Sequence, residues 1–404
     1  MLEKKKSVVP LLRFPEFWDA GEWDEKPLGQ VVRFLDGQRK PIKESDRAFM
    51  QGQYPYYGAS GIIDYINDFI FDDDLILLGE DGENIVSRNL PLAFKVSGKC
   101  WVNNHAHVLK PNKPHHLNFL VQYLENLSYI KYNSGGAQPK LTQAICQKIP
   151  LLLPIPDEQQ KIADCLSSLD EVIDLEAQKL EALKAHKKGL MQQLFPREGE
   201  TTPCLRFPEF RDAGEWVVKR LKHISPAIFD GTHQTPNYIE KGVPFFSVEN
   251  IVSGNKNKYI SMEDYMAATI KNKPENGDIL ITRIGNIGFS KVVDWDYEFS
   301  IYVTLAVVKK SELFNSQYLH CYFQSEYYQK EILKKSLLNA VPCKINMDEL
   351  QKTKVLLPSL PEQQKIADCL ASLDEVINLQ IQKLDALNAH KKGLMQQLFP
   401  QEVD

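Results

Sequence analysis

Side chains that could bind a metal ion lie close together at two places in the sequence. Three aspartates follow one another at 72–74, and His105 and His107 lie two residues apart. Adjacent carboxylates on a strand or turn point in different directions, so the aspartates are typical of a solvated turn. The histidines could share one strand face, but zinc requires further ligands. We therefore predict no metal site, and the polar setting of the histidines fits a structural and a binding role equally.

The sequence lacks the motifs of two common catalytic sites. It contains neither the Asn-Pro-Pro-Tyr nor the Asp-Pro-Pro-Tyr tetrapeptide of adenine methyltransferases. It also contains no G-x-x-x-x-G-K-[ST] loop, whose backbone amides would bind nucleotide phosphates. We therefore predict that the chain has no catalytic residues and binds no cofactor itself.

Side chains with several hydrogen-bonding groups are concentrated in loops that contain glycine or proline. In the first half these loops are "DGQRKP", "YPYYGAS" and "GGAQPK", and in the second half they are "DGTHQT", "TRIGN" and "PCKINM". Loops of this kind often carry binding residues, which the surrounding strands and helices hold in place. The loops fall in two blocks, at about 24–153 and 217–357.

Both blocks alternate predicted strands and helices, which indicates a mixed α+β fold. In the first block, "DLILLGEDGENI" predicts a buried strand and a turn, "AFKVSGKCWVNNHAHVLKP" a strand pair, and "HHLNFLVQYLENL" an amphipathic helix. In the second block, "GDILITRIGNIGFSKVV" predicts two strands, "FSIYVTLAVVKK" one more, and "SQYLHCYFQSEYYQKEI" a helix. The shared order predicts one plan with divergent loops.

Near-identical segments flank these divergent blocks. Residues 158–196 and 362–400 are related by a constant offset of 204 and differ at six positions. "PLLRFPEFWDAGEW" (Pro10 to Trp23) and "PCLRFPEFRDAGEW" (Pro203 to Trp216) precede the blocks and differ at two positions. Gene duplication alone would explain two copies, but not strict repetition beside divergent blocks.

The longer repeat predicts a coiled-coil helix. Its apolar residues recur at spacings of four and three, a proline lies just ahead of it, and another ends it. About 38 residues give a helix about 57 Å long. The predicted seam of the helix pair comprises Ile162, Leu166, Leu169, Ile173, Leu180, Leu183, Leu190, Ile366, Leu370, Leu373, Ile377, Leu384, Leu387 and Leu394.

Two such helices can bury their seams against each other around a two-fold axis, which makes them antiparallel. We therefore expect the blocks at opposite ends of the helix pair, in a pseudo-two-fold, cyclic organisation with neighbouring termini. The predicted parts are an N-terminal linker (1–23), the first block (24–153), the first long helix (154–196), a linker (197–216), the second block (217–357), and the second long helix with a tail (358–404).

Composition is that of an ordinary globular protein, with 43% hydrophobic and 25% charged residues. We expect no membrane helix, no signal peptide, and reduced cysteines, since the seven cysteines form no C-x-x-C pair. The net charge is −5, yet residues 24–153 balance 14 acidic and 14 basic residues, and residues 217–357 hold 15 acidic and 18 basic. The chain alone is therefore predicted to bind polyanions weakly.

The sequence resembles the specificity subunit of type I restriction-modification enzymes over residues 10–400. The resemblance rests on "YPYYGASGIIDYI", "LLGEDGENI", "SGGAQPKLTQ" and "LLLPIPDEQQKIA" in the first half, and on "DGTHQTP", "GDILITRIGNIG" and "LLPSLPEQQKIADCL" in the second. It implies that each block is a target-recognition domain that reads half of a bipartite double-stranded DNA site. The helix pair would then be a ruler for the spacer.

The resemblance also implies the partners. Two modification subunits that use S-adenosylmethionine would dock on the helix pair and methylate adenine, and two restriction subunits that use ATP and Mg would cut unmethylated DNA. The location implied is the cytoplasm of a bacterium or archaeon. This chain would be the reader and not the catalyst.

Reading DNA requires side chains that reach base edges, above all Arg or Lys for guanine and Asn or Gln for adenine. Lysines in the set are expected to contact phosphates more than bases. The predicted DNA-binding residues are Gln38, Arg39, Lys40, Tyr56, Tyr57, Ser60, Gln138, Lys140, Thr232, His233, Gln234, Arg283, Asn286, Lys344 and Asn346.

Two alternatives stay open. A coiled-coil scaffold without DNA reading, or a DNA-binding protein orphaned from its restriction partners, would share the helices. A stand-alone restriction-methyltransferase fusion would need catalytic motifs that the sequence lacks.

Overall fold

The computed structural model describes residues 9–400, so the first residues of the predicted N-terminal linker and the last four of the tail lie outside it. The chain forms two compact units. The first takes the residues up to 177 and those from 382 onward, and the second takes 178–381. Each unit therefore combines one block with parts of both long helices.

Strands and short helices alternate in both halves, as the mixed composition predicts. The strands of the first half are β1 (Asp24–Pro27), β2 (Val32–Phe34), β3 (Gln51–Gly58), β4 (Gly61–Ile66), β5 (Phe71–Asp72), β6 (Leu75–Gly79), β7 (Ala93–Val96), β8 (Lys99–Val102), β9 (Ala106–Pro111) and β10 (Pro150–Leu153). Its helices are α1 (Leu28–Val31), α2 (Glu44–Arg47), α3 (Asn84–Ser87), α4 (Leu117–Asn126), α5 (Gln143–Cys146) and the long α6 (Pro156–Leu194).

The second half follows the same order. Its strands are β11 (Val217–Arg220), β12 (Ile228–Asp230), β13 (Val243–Phe246), β14 (Tyr259–Ile260), β15 (Ile279–Thr282), β16 (Ser290–Val292), β17 (Ser300–Ile301), β18 (Leu305–Val308) and β19 (Lys354–Leu357). Its helices are α7 (Val248–Ser253), α8 (Met262–Thr269), α9 (Ser316–Phe323), α10 (Glu326–Lys334), α11 (Met347–Gln351) and the long α12 (Leu360–Leu398). No helix among residues 9–400 is long and apolar enough to span a membrane.

The sheets of the two units share one topology. The main sheet has the strand order β2-β9-β6-β7 in the first unit and β12-β18-β15-β16 in the second, antiparallel throughout. A second sheet has the order β4-β3-β8-β5 or β14-β13-β17, with one parallel pair in each unit. One fold therefore carries two different loop sets.

Strand β6 lies inside the main sheet of the first unit, which is buried on both faces at this strand. All five of its residues are buried, and successive side chains point to opposite faces. Leu75 and Leu77 belong to a core with Phe71, whereas Ile76 and Leu78 belong to the larger core of the unit. A continuous apolar run is the sequence signature of such a strand.

The ends of the long helices complete the larger cores. In the first unit, Ile162 and Leu166 from the start of α6 pack in one core with Trp23, Phe119 and Phe399. The rings of Phe119 and Phe399 have centroids 5.6 Å apart. The tryptophan of "EW" and the leucine and phenylalanine of "LFP" are therefore core residues.

The second unit repeats this arrangement. Ile366 and Leu370 from the start of α12 share a core with Phe195, Trp216 and Tyr318. Every position of the predicted seam is buried or half-buried.

Within each unit the segments of α6 and α12 run antiparallel. In the first unit, Asp170 is paired with Lys391, and in the second unit the equivalent Asp374 is paired with Lys187. The core contacts agree with this antiparallel direction, because in each unit the start of one long helix packs with the end of the other.

The first and last described segments meet in the first unit. The Leu12 backbone N–H donates to the Gln397 carbonyl at 2.9 Å. In the second unit, where the chain is continuous, Leu205 donates to Gln193 at 3.0 Å. The two junctions therefore have the same backbone geometry.

Two predicted elements are wrong in detail, and a third, predicted to be helical, is divided into two helices. "AFKVSGKCWVNNHAHVLKP" forms three strands in two sheets, because β8 pairs with β3 and β5 instead of β9. "FSIYVTLAVVKK" contains two strands, and "SQYLHCYFQSEYYQKEI" forms two helices. The helix break follows from Ser325, whose side chain caps the start of α10 by accepting from the Tyr328 N–H.

Candidate nucleic-acid interface

A buried ion pair joins the preceding linker of each block to the long helix that follows it. The Arg13 guanidinium donates to both carboxylate oxygens of Glu158 at 2.8 and 2.7 Å, and Arg206 donates to both oxygens of Glu362 at 2.7 Å. We call these pairs the arginine clamps. Only 1% of each glutamate side chain is exposed, so the two parallel bonds satisfy a charge that water cannot reach.

The next glutamine of each repeat attaches the block itself. Gln159 accepts from the backbone N–H of His116 at 3.0 Å, just before α4. Gln363 accepts from the backbone N–H of Asn315 at 2.9 Å, just before α9. Both of these bonds run to block backbone, and the Gln159 amide also lies 3.4 Å from a ring nitrogen of His115.

The loop at 134–140 is held against the turn that follows β6 in the first unit. The Leu141 N–H donates to the Glu80 carbonyl at 2.7 Å, and the Gly82 N–H donates to the Pro139 carbonyl at 3.0 Å. The Ser134 N–H closes the loop on the Lys140 carbonyl at 2.9 Å. We call residues 134–140 the first reader loop, since it carries the predicted residues Gln138 and Lys140.

Five predicted readers of the first unit are accessible. Gln38, Lys40, Gln138 and Lys140 are exposed, and Ser60 is half-buried in the β3–β4 turn. The Lys140 ammonium lies 3.3 Å from the Glu80 carboxylate. The side chains therefore present donors and acceptors at one end of the sheet.

Three other predicted readers have contacts inside the unit, and their DNA-binding role stays a prediction. The Arg39 guanidinium donates to Glu80 and to the Ala106 carbonyl, both at 2.7 Å. Tyr56 is 1% exposed and its hydroxyl accepts from a backbone N–H, while Tyr57 is half-buried in the core. We assign these side chains to holding the site together.

The second unit builds an equivalent loop. The Ile345 N–H donates to the Arg283 carbonyl at 2.9 Å, and the Gly285 N–H donates to the Cys343 carbonyl at 2.8 Å. The Leu337 N–H closes the loop on Lys344 at 2.7 Å. We call residues 337–344 the second reader loop.

Most predicted readers of the second unit are accessible. His233, Gln234, Asn286, Lys344 and Asn346 are exposed, and Thr232 is half-buried. Arg283 differs, because its side chain is 8% exposed and its guanidinium donates to Asp230 at 2.8 Å. Arg283 is therefore the buried member of this predicted set, and its DNA-binding role stays a prediction.

One group of side chains in the described part of the chain has a geometry that could hold a metal ion. Asp36, Glu80 and His107 bring their ligand atoms within 4.8 Å of one another. Arg39 already donates to Glu80 and lies 3.5 Å from Asp36. Because the Arg39 guanidinium already neutralises these carboxylates, we interpret the group as an ion-pair cluster and not as a divalent metal site. His105 is turned away and pairs with Asp81 at 2.9 Å.

His107 is the buried cation of the cluster. Burial lowers its pKa, but the hydrogen bond to Asp36 and the neighbouring Cys146 thiol outweigh burial and raise the pKa to about 10. Nδ1 lies 2.6 Å from Asp36, and Nε2 lies 2.8 Å from the Leu141 carbonyl. A doubly protonated imidazole donates to both.

Sequence reasoning missed the acidic residues under the loops. Asp36 lies two residues after β2, and Asp230 is the last residue of β12; each precedes a glycine, in "FLDGQ" and "IFDGT". Aligning the blocks on this Asp-Gly pair would have identified them. Glu80 and Arg283 carry opposite charges at equivalent positions, so only the structure relates them.

Comparison with known proteins gives the family of the chain. The family model described as the type I restriction modification DNA specificity domain matches residues 20–185 and 213–389. The chain belongs to this family. Its members are the specificity subunits of type I restriction-modification systems, and this specificity subunit contains the domain twice.

Individual relatives cover nearly the whole specificity subunit. A Haemophilus influenzae protein assigned as a type I restriction enzyme specificity subunit is 29% identical over 368 residues, which is 89% of this chain and 90% of that one. The MjaVIII specificity subunit of Methanocaldococcus jannaschii is 25% identical over 415 residues, with 97% and 94% covered.

Solved structures share the fold of this specificity subunit. The type I system S subunit from M. genitalium superposes with a TM-score of 0.63 at 15% identity, with 98% of this chain and 100% of that chain covered. A chain from a study of type I complex assembly and conformational transition gives a TM-score of 0.56 at 17% identity, with 94% and 98% covered.

Proposed function

We propose that this specificity subunit reads a bipartite DNA site, with one block for each half. The observation that carries the proposal is the equivalence of the two reader loops, which are attached to the same turn of the same sheet. Lys140 and Lys344 occupy matching positions, while the side chains around them differ. One scaffold with two sets of exposed donors and acceptors suits two half-site sequences.

The long helices are proposed to fix the spacing between the half-sites. Each comprises 39 residues, or about 58 Å at 1.5 Å per residue. Antiparallel pairing of their segments within each unit supports a continuous two-helix ruler. A rigid separation makes the length of the unread spacer part of the specificity.

The same helices are proposed to dock two modification subunits. Val172 and Leu175 of α6 are 43% and 64% exposed, and the equivalent Val376 and Leu379 of α12 are 45% and 58% exposed. The members of each pair lie three residues apart and share a helix face. Exposed apolar pairs repeated on both helices suit two copies of one partner. We call these four residues the docking strips.

Chemistry is proposed to belong to the partners. Modification subunits would bind S-adenosylmethionine, and restriction subunits would bind ATP and Mg, while this chain would select the DNA sequence. A scaffold that does not read DNA would also need the long helices. It would not need two reader loops that have matched stems and different side chains.

A genome-wide map of N6-methyladenine tests the proposal. A strain that expresses the chain with its neighbouring modification subunit is compared with a strain that lacks the chain. We expect a two-part motif with a constant gap that disappears on deletion. Identical maps, together with no selective DNA binding by the purified complex, would support the scaffold instead.

A further inference from the structure

A cation bridges an aspartate and a loop carbonyl under each reader loop. In the first unit, the His107 imidazole bridges Asp36, at 2.6 Å, to the Leu141 carbonyl, at 2.8 Å. Asp36 begins the 3-10 turn Asp36–Gln38 after β2, and Leu141 follows the first reader loop. The imidazole therefore ties the loop to the main sheet.

In the second unit, an arginine makes the same connection. The Arg283 guanidinium bridges Asp230, at 2.8 Å, to the Ile345 carbonyl, at 3.3 Å. Ile345 follows the second reader loop as Leu141 follows the first. Asp230 ends β12, and Asp36 lies two residues after the end of β2.

The two cations come from different positions of the fold. Strand register pairs Leu78 with His107 in the first unit and Ile281 with Ala306 in the second, so His107 corresponds to Ala306. The turn residue that accepts from the loop backbone is Glu80 in one unit and Arg283 in the other. Both units therefore have the bridge, but its cation lies on strand β9 in the first unit and on the turn after β15 in the second.

The other charged side chains near the two aspartates also differ between the units. With the cation on the strand, Glu80 is free to pair with Arg39, three residues after Asp36. With the cation on the turn, the residue three positions after Asp230 is His233, which lies on the same aspartate at 3.0 Å. A second arginine there would face Arg283, so the smaller side chain avoids crowding two fixed cations.

We infer that Asp36 with His107, and Asp230 with Arg283, are positioning residues that set the conformation of the two reader loops. This inference rests on the proposed reading function and deepens it. None of the four side chains needs to touch DNA, since each acts through the backbone of the loop that presents the contacts. The loop stems, and not only the exposed tips, then determine base discrimination.

Transplanting the bridge from one unit to the other tests the inference. In the full complex with the modification subunit, His107→Ala is compared with the triple variant Arg39→His/Glu80→Arg/His107→Ala, which installs the charges of the second unit in the first. The measurement is the ratio of methylation at the cognate first half-site to methylation at single-base variants of it.

We expect His107→Ala to lower this ratio roughly tenfold, comparable to one lost base contact, and the triple variant to restore it at least in part. Discrimination at the second half-site, built on Arg283, stays unchanged and is the internal control. An unchanged ratio in His107→Ala, or no recovery in a folded triple variant, would overturn the inference.

Asp36→Asn separates folding from positioning. The change is nearly isosteric and keeps an acceptor for the Val108 N–H, so thermal unfolding should reveal whether the unit stays folded. A folded Asp36→Asn variant with full discrimination would also overturn the inference. If the wild-type complex methylates no bipartite site at all, the proposed function fails, whichever result the variants give.

Discussion

Arg13 donates two parallel hydrogen bonds to Glu158 across 145 positions of sequence, and both side chains are almost fully buried. Removing one partner of such a pair leaves the other charged and cut off from water. We expect Arg13→Ala to cost about 3–5 kcal/mol in the free energy of unfolding. Urea unfolding of the full chain measures this.

The double variant Arg13→Met/Glu158→Gln is the matched control, because it removes both charges. It should lose much less stability than Arg13→Ala. Equal losses would mean that packing, and not the unpaired carboxylate, determines the cost.

The pH dependence of stability should differ between the two units. His107 has a folded pKa of about 10 against an ordinary 6.5, so its stabilisation is complete below pH 6.5 and is lost as pH rises towards 10. Burial, assisted by Lys187, lowers the pKa of His320 in the second unit to about 4. Its contribution is present above pH 6.5 and lost as pH falls towards 4.

Hydrogen exchange of the full chain at several pH values would assign each loss to its unit. The first unit should lose protection on the alkaline side and the second on the acid side. His107→Ala should remove the alkaline dependence of the first unit. An alkaline loss that persists in this variant would have to come from another group.

Leu373→Asp should separate the paired helix segments of the second unit. The side chain is half-buried on the seam, and burying an unpaired carboxylate costs several kcal/mol. We expect lower stability and loss of the constant gap in the methylated motif. Retention of one fixed spacer in the folded variant would argue against the ruler.

The docking strips allow a matched comparison with the seam. Leu379→Asp places the same charge on the same helix, six residues further on, but on a side chain that is 58% exposed. We expect little change in unfolding and weaker binding of the modification subunit, measured by sedimentation. Unchanged binding in Leu175→Asp/Leu379→Asp would place the partner elsewhere.

Lys344→Ala tests the second reader loop. The exposed ammonium is expected to contact phosphate, so its loss should weaken DNA binding by the complex for all sequences and reduce the salt dependence by about one unit of slope. Lys222→Ala, an exposed lysine in the 3-10 turn Leu221–His223, is the control and should change neither. A specific loss at one base position would instead assign Lys344 to base readout.

Repetition and periodicity were enough to predict the long helices and the mixed blocks, because apolar spacing and proline positions are local signals. The predicted helix boundaries lie within a few residues of Pro156–Leu194 and Leu360–Leu398. Pairing of β8 with β3 could not be predicted, since it depends on contacts between strands that are distant in sequence.

The contacts of the two predicted arginines could not be predicted from the sequence. Residue type alone marks Arg39 and Arg283 as base readers, and in the structure each pairs with a partly buried carboxylate. Exposure decides between these roles, and exposure depends on where Asp36, Glu80 and Asp230 fall in the fold. The glutamine and lysine of the loop at 134–140 are exposed, and their DNA-binding role stays a prediction.

The arginine clamps have an evolutionary consequence. Arg13, Glu158, Arg206 and Glu362 all lie in repeated segments, and Gln159 and Gln363 each accept a hydrogen bond from the backbone of the adjoining block. A block inherited as an intact cassette between these segments would therefore arrive with a compatible joint already in place. Its charge bridge would travel with it, so a lineage could acquire a new half-site in one genetic exchange, without a passage through unstable intermediates.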